Sequence, residues 1–485
     1  MPASELIERV AEVIARHRDT VGNPEAGREL ASLAQRLREP VRVAVVGRVK
    51  AGKSTMVNAL LGQRVAPTDV SECTRVVTWF RYGSPQRLVL ELTNGDQVER
   101  QLDPGGVLPA ELGVPAEQVL SAHAYLANEV LRSMTLIDTP GLGSVHPGYS
   151  ATTEQLLAAS HSSSAAADRA DAVVFLMNQV AFADEWKSLE GLQGDVRDSL
   201  SAARTLGVLS RADQLGDGTA DSLTVAVELA EHYSAVLRDK VSSVVPVVGL
   251  LAETASTAAL TELDFRGLAQ LAALPKSDFK RLTWSADRFL TAPSTVDVET
   301  RRRLLDALAL YGIRRGAELV LSAASGAGAL GRELGQLSGI NEVRRSLAAV
   351  FGEQEHVLKV RSVLAALTRL SYQFPDLGSL GNDVEALRMD PIMQPVAEVE
   401  AWQLAVNSKD PLPAQLHADL RALTMPGSMR AKLAVDSEDR ADLRETTRAA
   451  LVRWRMFLNT DASPPQQAVA RVALRSYQLI WSELS

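Results

Sequence analysis

Gly47-Arg48-Val49-Lys50-Ala51-Gly52-Lys53-Ser54 is the stretch of this sequence whose residue types and spacing suit phosphate chemistry. Its glycines let main-chain N–H groups close on an anion, and the helix expected from Thr55 to Leu61 turns its positive end toward the same point. Lys53 is placed to reach the β and γ groups of a nucleoside triphosphate, and Ser54 to offer a hydroxyl to magnesium. Val49, Lys50, Ala51, Gly52 and Thr55 complete the cradle. Downstream, the apolar run Met134 to Ile137 ends in Asp138-Thr139-Pro140-Gly141. A carboxylate there would hold the water shell of magnesium, and the Gly141 N–H would sense a γ-phosphate. Further on, Thr205 to Leu209 leads into Ser210-Arg211-Ala212-Asp213. Asp213 would accept the N1–H and exocyclic amine of guanine, a donor pair that adenine lacks. Arg211 would lie along the base with its aliphatic stem and planar head. Between these motifs, Thr74 and Thr78 compete as the switch threonine that would give magnesium its hydroxyl and the γ-phosphate its N–H. Either also suits a strand.

These residues need strand ends to hold them. Short β-branched runs occur at Val41 to Val46, Val76 to Arg81, Leu88 to Leu92, Met134 to Ile137, Val173 to Met177, Thr205 to Leu209 and Val244 to Val248. Separated by turn signals and helical stretches, they predict an α/β fold, a mostly parallel sheet flanked by helices. Asn94-Gly95 predicts a hairpin and hence an antiparallel edge. Leu6, Val10, Val13 and Ile14, then Leu30, Leu33 and Leu37, predict two amphipathic helices before the first strand. Beyond Pro293 the strands stop and long stretches of 3.6-residue rhythm follow, which predicts an elongated all-α helical bundle. The expected divisions are 1–39 for helices joining the bundle, 40–292 for the nucleotide-binding domain and 293–485 for the bundle.

With 485 residues, 46% of them hydrophobic, the chain can bury more than one core. A net charge of -8 argues against nucleic acid as a partner, since coating phosphates needs a basic surface. The single cysteine, Cys73, excludes an internal disulfide and a cysteine-based metal site, and suits a reducing cytoplasm. The opening residues lack the basic start and unbroken apolar core of a signal peptide. No stretch approaches the roughly 20 apolar residues of a membrane span, so any membrane contact is expected to be peripheral.

Together the motifs resemble those of the dynamin family: the GxxxxGKS loop, the threonine of Cys73-Thr74-Arg75, a long spacing to Asp138-Thr139-Pro140-Gly141, a degenerate Ser210-Arg211-Ala212-Asp213 and a helical second half. Tyr311-Gly312-Ile313-Arg314 through Leu358-Lys359-Val360-Arg361-Ser362 is similar to a segment of actinobacterial dynamin-like proteins. The resemblance implies GTP as substrate with Mg2+, and hydrolysis coupled through a helical neck and trunk to membrane fission or fusion. It implies self-association through the GTPase heads, a second dynamin-like chain as a possible partner, and a peripheral position at the inner face of the plasma membrane. Leu142 stands where Ras-like enzymes carry the glutamine that orients the attacking water, so that water is expected to be held by backbone and Thr74 once a second head closes over the site. At the position of Lys50 animal dynamins have a serine and recruit a monovalent cation. Lys50 would supply that charge itself.

Leu420 to Val435 contains Arg421, Arg430 and Lys432 without an acidic residue, among Leu423, Met425, Pro426 and Met429. Such a tip suits anionic phospholipid, with cations on the head groups and apolar side chains inserted. Phe374 to Pro395, with Leu377, Leu380, Met389, Ile392 and Met393, is the rival tip. The competing function is a GTPase switch on a ribosomal or other protein assembly, which predicts a compact basic appendix where this chain has a long acidic helical one.

Overall fold

The structure is a computed structural model. It describes residues 3–68, 75–141, 170–178, 205–215, 222–237, 240–322, 324–352, 355–408, 410–425 and 428–485. Cys73, Thr74, Leu142, Pro426 and Gly427 lie outside the described residues. Two compact units emerge, one with the described residues of 42–346 and the other with those of 1–41 and 347–485.

Among the described residues the first unit is built on nine strands: β1 (Val41–Gly47), β2 (Thr78–Tyr82), β3 (Arg87–Leu92), β4 (Gln97–Arg100), β5 (Val119–Leu126), β6 (Met134–Asp138), β7 (Ala172–Met177), β8 (Thr205–Ser210) and β9 (Val244–Val247). Their order across the sheet is β4-β3-β5-β2-β6-β1-β7-β8-β9. Strands β1, β7, β8 and β9 pair in parallel, and every residue of β7 and β8 is buried. That accounts for their continuous apolar composition, because a parallel sheet is covered on both faces. The opposite half is more mixed than the sequence predicts. Pairs β2/β6, β3/β4 and β3/β5 are antiparallel, with β2/β5 parallel among them. Gly95, at φ 87°, turns the expected hairpin between β3 and β4.

Strand β5 carries no sequence signal of its own. Its VLSAHAYL composition is poor in β-branched residues, and its pairing with β2 and β3 supplies what propensity does not.

The same unit also takes in residues 298–346, which the sequence assigns to the bundle. In the helix Val298–Ser322, Leu304, Leu308, Ile313 and Ala317 are buried in one cluster with Val46, Val173 and Leu209 of the sheet. Gly312 and Gly316 permit this packing. A Cβ on Gly312 would lie 2.5 Å from Leu251 Cδ2, and one on Gly316 2.8 Å from Leu268 Cδ2. A 3.6-residue rhythm shows that a helix has an apolar stripe; it carries no information on which partner covers the stripe.

The second unit is all helix. Helices Ala3–Arg18 and Pro24–Arg38 share a core with Glu355–Gln373 and Leu380–Met389, through Val10, Ile14, Leu30 and Leu37 against Val360, Leu364, Leu380 and Val384. His17 Nε2 lies 2.7 Å from Asp383 Oδ2 across that core. A further core joins Gln394–Asn407, Ala414–Leu423, Arg440–Leu458 and Pro464–Leu484 around Trp402, Leu420, Trp454 and Tyr477.

Candidate nucleotide-binding site

Strand β1 delivers Gly47 into the loop, where a Cβ would sit 2.7 Å from the Leu176 carbonyl oxygen of β7. Gly52, at φ 94°, opens the helix Lys53–Leu61 in a left-handed conformation. Lys50 is also left-handed, at φ 63°, which costs a non-glycine residue about 1–2 kcal/mol. Its side chain is exposed, as is Val49, whereas Ala51 is buried. The Ala51 N–H closes the turn on the Arg48 carbonyl at 3.2 Å. Lys53 is buried and its Nζ donates to that same carbonyl at 3.0 Å, folding the ammonium over the loop. Burial pulls the Lys53 pKa down, and the nearby Asp138 carboxylate works against that. Thr55, half-buried, follows in the first helical turn.

Strand β6 neighbours β1 and brings Asp138 beside this helix. Ser54 Oγ donates to Asp138 Oδ2 at 2.8 Å. Burial raises the Asp138 pKa, opposed by Lys53, the Ser54 hydroxyl and the Thr139 backbone. Asp138 Oδ1 is buried without a hydrogen-bond partner among the described residues. Beyond it, Gly141 touches the phosphate loop so closely that a Cβ would lie 2.5 Å from Val49 Cγ2 and 2.7 Å from Val49 Cα. Thr139 Oγ1, donating to the Val45 carbonyl at 2.8 Å, pins the same turn to β1. Thr78 is buried in β2 opposite Asp138, its hydroxyl 3.5 Å from the Val76 carbonyl. Its rival Thr74 lies outside the described residues.

The hydroxyl of Ser54 and the unpaired Asp138 oxygen are hard donors of the kind magnesium takes. No group of three or more His, Cys, Asp or Glu side chains able to hold a metal exists among the described residues. A magnesium ion at Ser54 and Asp138 would therefore complete its shell with phosphate oxygens and water, neutralising charge on the leaving phosphate.

On the other side of β1, Ser210 Oγ ties the end of β8 to the Met177 carbonyl of β7 at 3.0 Å. Arg211 is left-handed, at φ 56°, and its Nη2 donates to the Lys50 carbonyl at 2.8 Å. The expectation that its planar head lies along a base is thus altered. The head clamps the phosphate loop, and only the stem remains for the base. Asp213 follows in the turn Ala212–Gln214; burial raises its pKa, while its own backbone N–H and the Arg211 charge act against that. Because β1, β7 and β8 are parallel, the phosphate loop and the Asp213 turn leave the sheet at the same end, where open α/β sheets bind ligands. No sequence signal announced the Arg211 contact to Lys50, which joins residues 161 apart.

The basic segment fares differently. Leu423 is fully buried in the core of the second unit, because it lies on the inward face of Ala414–Leu423. Lys432 Nζ is held 3.0 Å from Glu398 Oε2, a carboxylate itself buried. Neither is available to a lipid surface. Arg430 pairs with exposed Glu438 at 3.1 Å, Met429 packs partly onto the core, and Arg421 and Met425 are exposed. In the rival stretch Leu377, Leu380, Ile392 and Met393 are core residues, while Met389 is 68% exposed.

Several known proteins are similar to this chain. Residues 43–211 match the model of the dynamin family. The "Isoniazid-induced protein IniC" of Mycobacterium tuberculosis is 32% identical over 480 residues, 94% of this chain and 93% of that protein. "Dynamin-like protein 2" of Campylobacter jejuni is 28% identical over 128 residues, 26% of this chain and 21% of that protein. A solved chain of an oligomerised bacterial dynamin pair aligns over 100% of this chain and 80% of its own, at 14% identity and a TM-score of 0.34. With an end-to-end relative at this identity and a family match that takes in the phosphate loop and Asp138 and ends at Arg211, the chain belongs to the dynamin family and is a GTPase.

Proposed function

We propose that this GTPase remodels membrane, by fission or fusion, as a peripheral protein of the inner face of the plasma membrane, and that its hydrolysis accelerates when its heads associate. The observation that carries the reading is the makeup of the site itself. Lys53, Ser54 and Asp138 gather the groups that hold phosphate and Mg2+, while Leu142 takes the place of a water-orienting glutamine. A head that binds GTP without such a side chain needs outside help to fix the water, and a second copy of the head, or a second dynamin-like chain, supplies it. Thr74 would then hold magnesium and the γ-phosphate, and exposed Lys50 would place its charge between the β and γ groups.

No helix among the described residues is long and apolar enough to cross a membrane. In this reading the helical unit transmits the motion as neck and trunk. Arg421, Met425, Met429 and Arg430 remain the residues with which its tip would touch anionic phospholipid. GTP turnover per head, measured against protein concentration with and without anionic liposomes, tests the proposal. Turnover should rise with both, and a flat response to both would count against it. A Lys50→Ser variant that still turns over GTP normally without added potassium would remove the role given to Lys50.

A further inference from the structure

The helix Lys53–Leu61 carries Lys53 and Ser54 at one end, and at the other it is finished by side chains from distant parts of the sequence. Gly62, left-handed at φ 65°, and Gln63 both turn their N–H groups to the Asn58 carbonyl. That leaves the Ala59 carbonyl without a donor from its own helix, as happens at helix ends. Arg344 Nη2 donates to it at 2.8 Å and also lies 3.0 Å from Ser256 Oγ. Ser256 is the last residue of the helix Gly249–Ser256, so one guanidinium sits at the negative ends of two helices. Burial of that head lowers its pKa, with no carboxylate acting against the shift, and the nearby Glu342 is taken by Arg345 at 2.5 Å.

Arg344 belongs to the helix Ile340–Gly352, whose start is fixed on the sheet. The Val248 N–H, just past β9, donates to the Ser338 carbonyl at 3.0 Å. Gly339, at φ 82°, packs so closely that a Cβ would lie 2.2 Å from the Pro246 carbonyl oxygen of β9, and Ile340 and Val343 are buried. The first turns of this helix therefore meet the end of β9 and, through Arg344, the phosphate-loop helix. Ser346 closes the first unit and Leu347 opens the second, so the same helix carries the chain from one into the other.

We propose that Arg344 is a positioning residue for the GTPase site: it holds the far end of the phosphate-loop helix, and with it Lys53 and Ser54, to the helix Ile340–Gly352. From Ser54 to Ala59 is about 8 Å of helix, a length too short and too fully hydrogen-bonded to absorb a shift at one end. Filling the phosphate loop then steadies Ile340–Gly352, and by reciprocity a displaced helix weakens the hold on nucleotide. The inference rests on the reading that Lys53 and Ser54 hold the phosphates.

The test uses the full-length protein, fluorescent GDP and a non-hydrolysable GTP analogue. Lys53→Ala examines the underlying reading. It should weaken GDP about tenfold or more, and unchanged affinity would remove that reading and the proposal with it. Arg344→Ala examines the proposal alone. GDP should bind about three- to fivefold more weakly, and Arg344→Lys, which keeps the charge and a donor, should return affinity to within about twofold of wild type. Arg303→Ala, which removes an ion pair to buried Asp264 in the same unit, is the stability control and should lower Tm without changing GDP affinity.

Wild-type affinity in Arg344→Ala, or an equal loss in Arg303→Ala, would overturn the proposal. Amide exchange over residues 341–348 supplies a readout that a merely structural contact would not move. A saturating GTP analogue should slow it about threefold or more in the wild type, and that slowing should vanish in Arg344→Ala. The same slowing in the variant would overturn the proposal. So would its absence in the wild type, a measurement that stands whether or not the variant folds.

Discussion

The phosphate loop and the segment Leu420–Val435 both stand out by side-chain type, yet folding treats them in opposite ways. In the loop, function resides largely in the main chain. Gly47, Gly52 and the left-handed Lys50 shape a backbone whose geometry follows from local sequence, and the strand and helix around it fix its direction. In the basic segment, function would depend on where side chains point, and that is decided by the neighbours. Leu423 turns into the core and Lys432 turns to Glu398. A short motif that acts through its own backbone keeps its meaning in the fold, whereas a compositional patch keeps only the residues the core does not claim.

The comparison is most sharply tested at Lys53. Lys53→Ala should lower GTP turnover about 10²- to 10³-fold while circular dichroism stays that of the wild type, and near-normal turnover would break the first half of the contrast. The second half is tested at Leu423. Leu423→Ala should cost about 2–5 kcal/mol of stability, seen as a lowered Tm, whereas exposed Met425→Ala should leave Tm almost unchanged. A Leu423→Ala protein of normal Tm that no longer sediments with anionic vesicles would reverse the assignment. Lys432→Ala leaves Glu398 buried without its cation and should cost about 3 kcal/mol in denaturant titration. Arg430→Ala, whose partner Glu438 is exposed, should cost no more than about 0.5 kcal/mol.

Smaller effects sharpen the picture of the site. Arg211→Ala removes the clamp on the Lys50 carbonyl and should weaken GDP about tenfold; an effect on Tm alone would return Arg211 to a structural role. The last test is pH. In the proposed site an ionised Asp213 reads guanine, and burial holds the Asp213 pKa above its usual value. GDP affinity should therefore begin to fall on acidification at a pH above the ordinary carboxylate range, and an Asp213→Asn protein should lack that limb.

The strands that carry the candidate nucleotide site were legible because each motif sits at or just past a strand end: Gly47 closes β1, Asp138 closes β6, and Asp213 lies in the turn after β8. The contacts that unite those parts were not. The Ser54 bond to Asp138 joins residues 84 apart, and the Arg211 bond to Lys50 joins residues 161 apart. Strand β5 was hidden because alanine, serine and histidine give no strand signal, and its place comes from pairing with β2 and β3. Residues 298–346 read correctly as helix but not as part of the sheet-bearing unit, since an apolar stripe does not name its partner.

By itself, then, the sequence pointed to the local chemistry: a phosphate loop, a carboxylate at a strand end, and in Asp213 a proposed acceptor for guanine. These are properties of short segments whose backbone geometry is set within a few residues. Tertiary structure alone decided which long-range partners those segments meet. It gave Arg211 to the Lys50 carbonyl and Lys432 to Glu398. The physical reason is that burial and pairing depend on the neighbours the chain brings into contact, and those neighbours are distant in sequence.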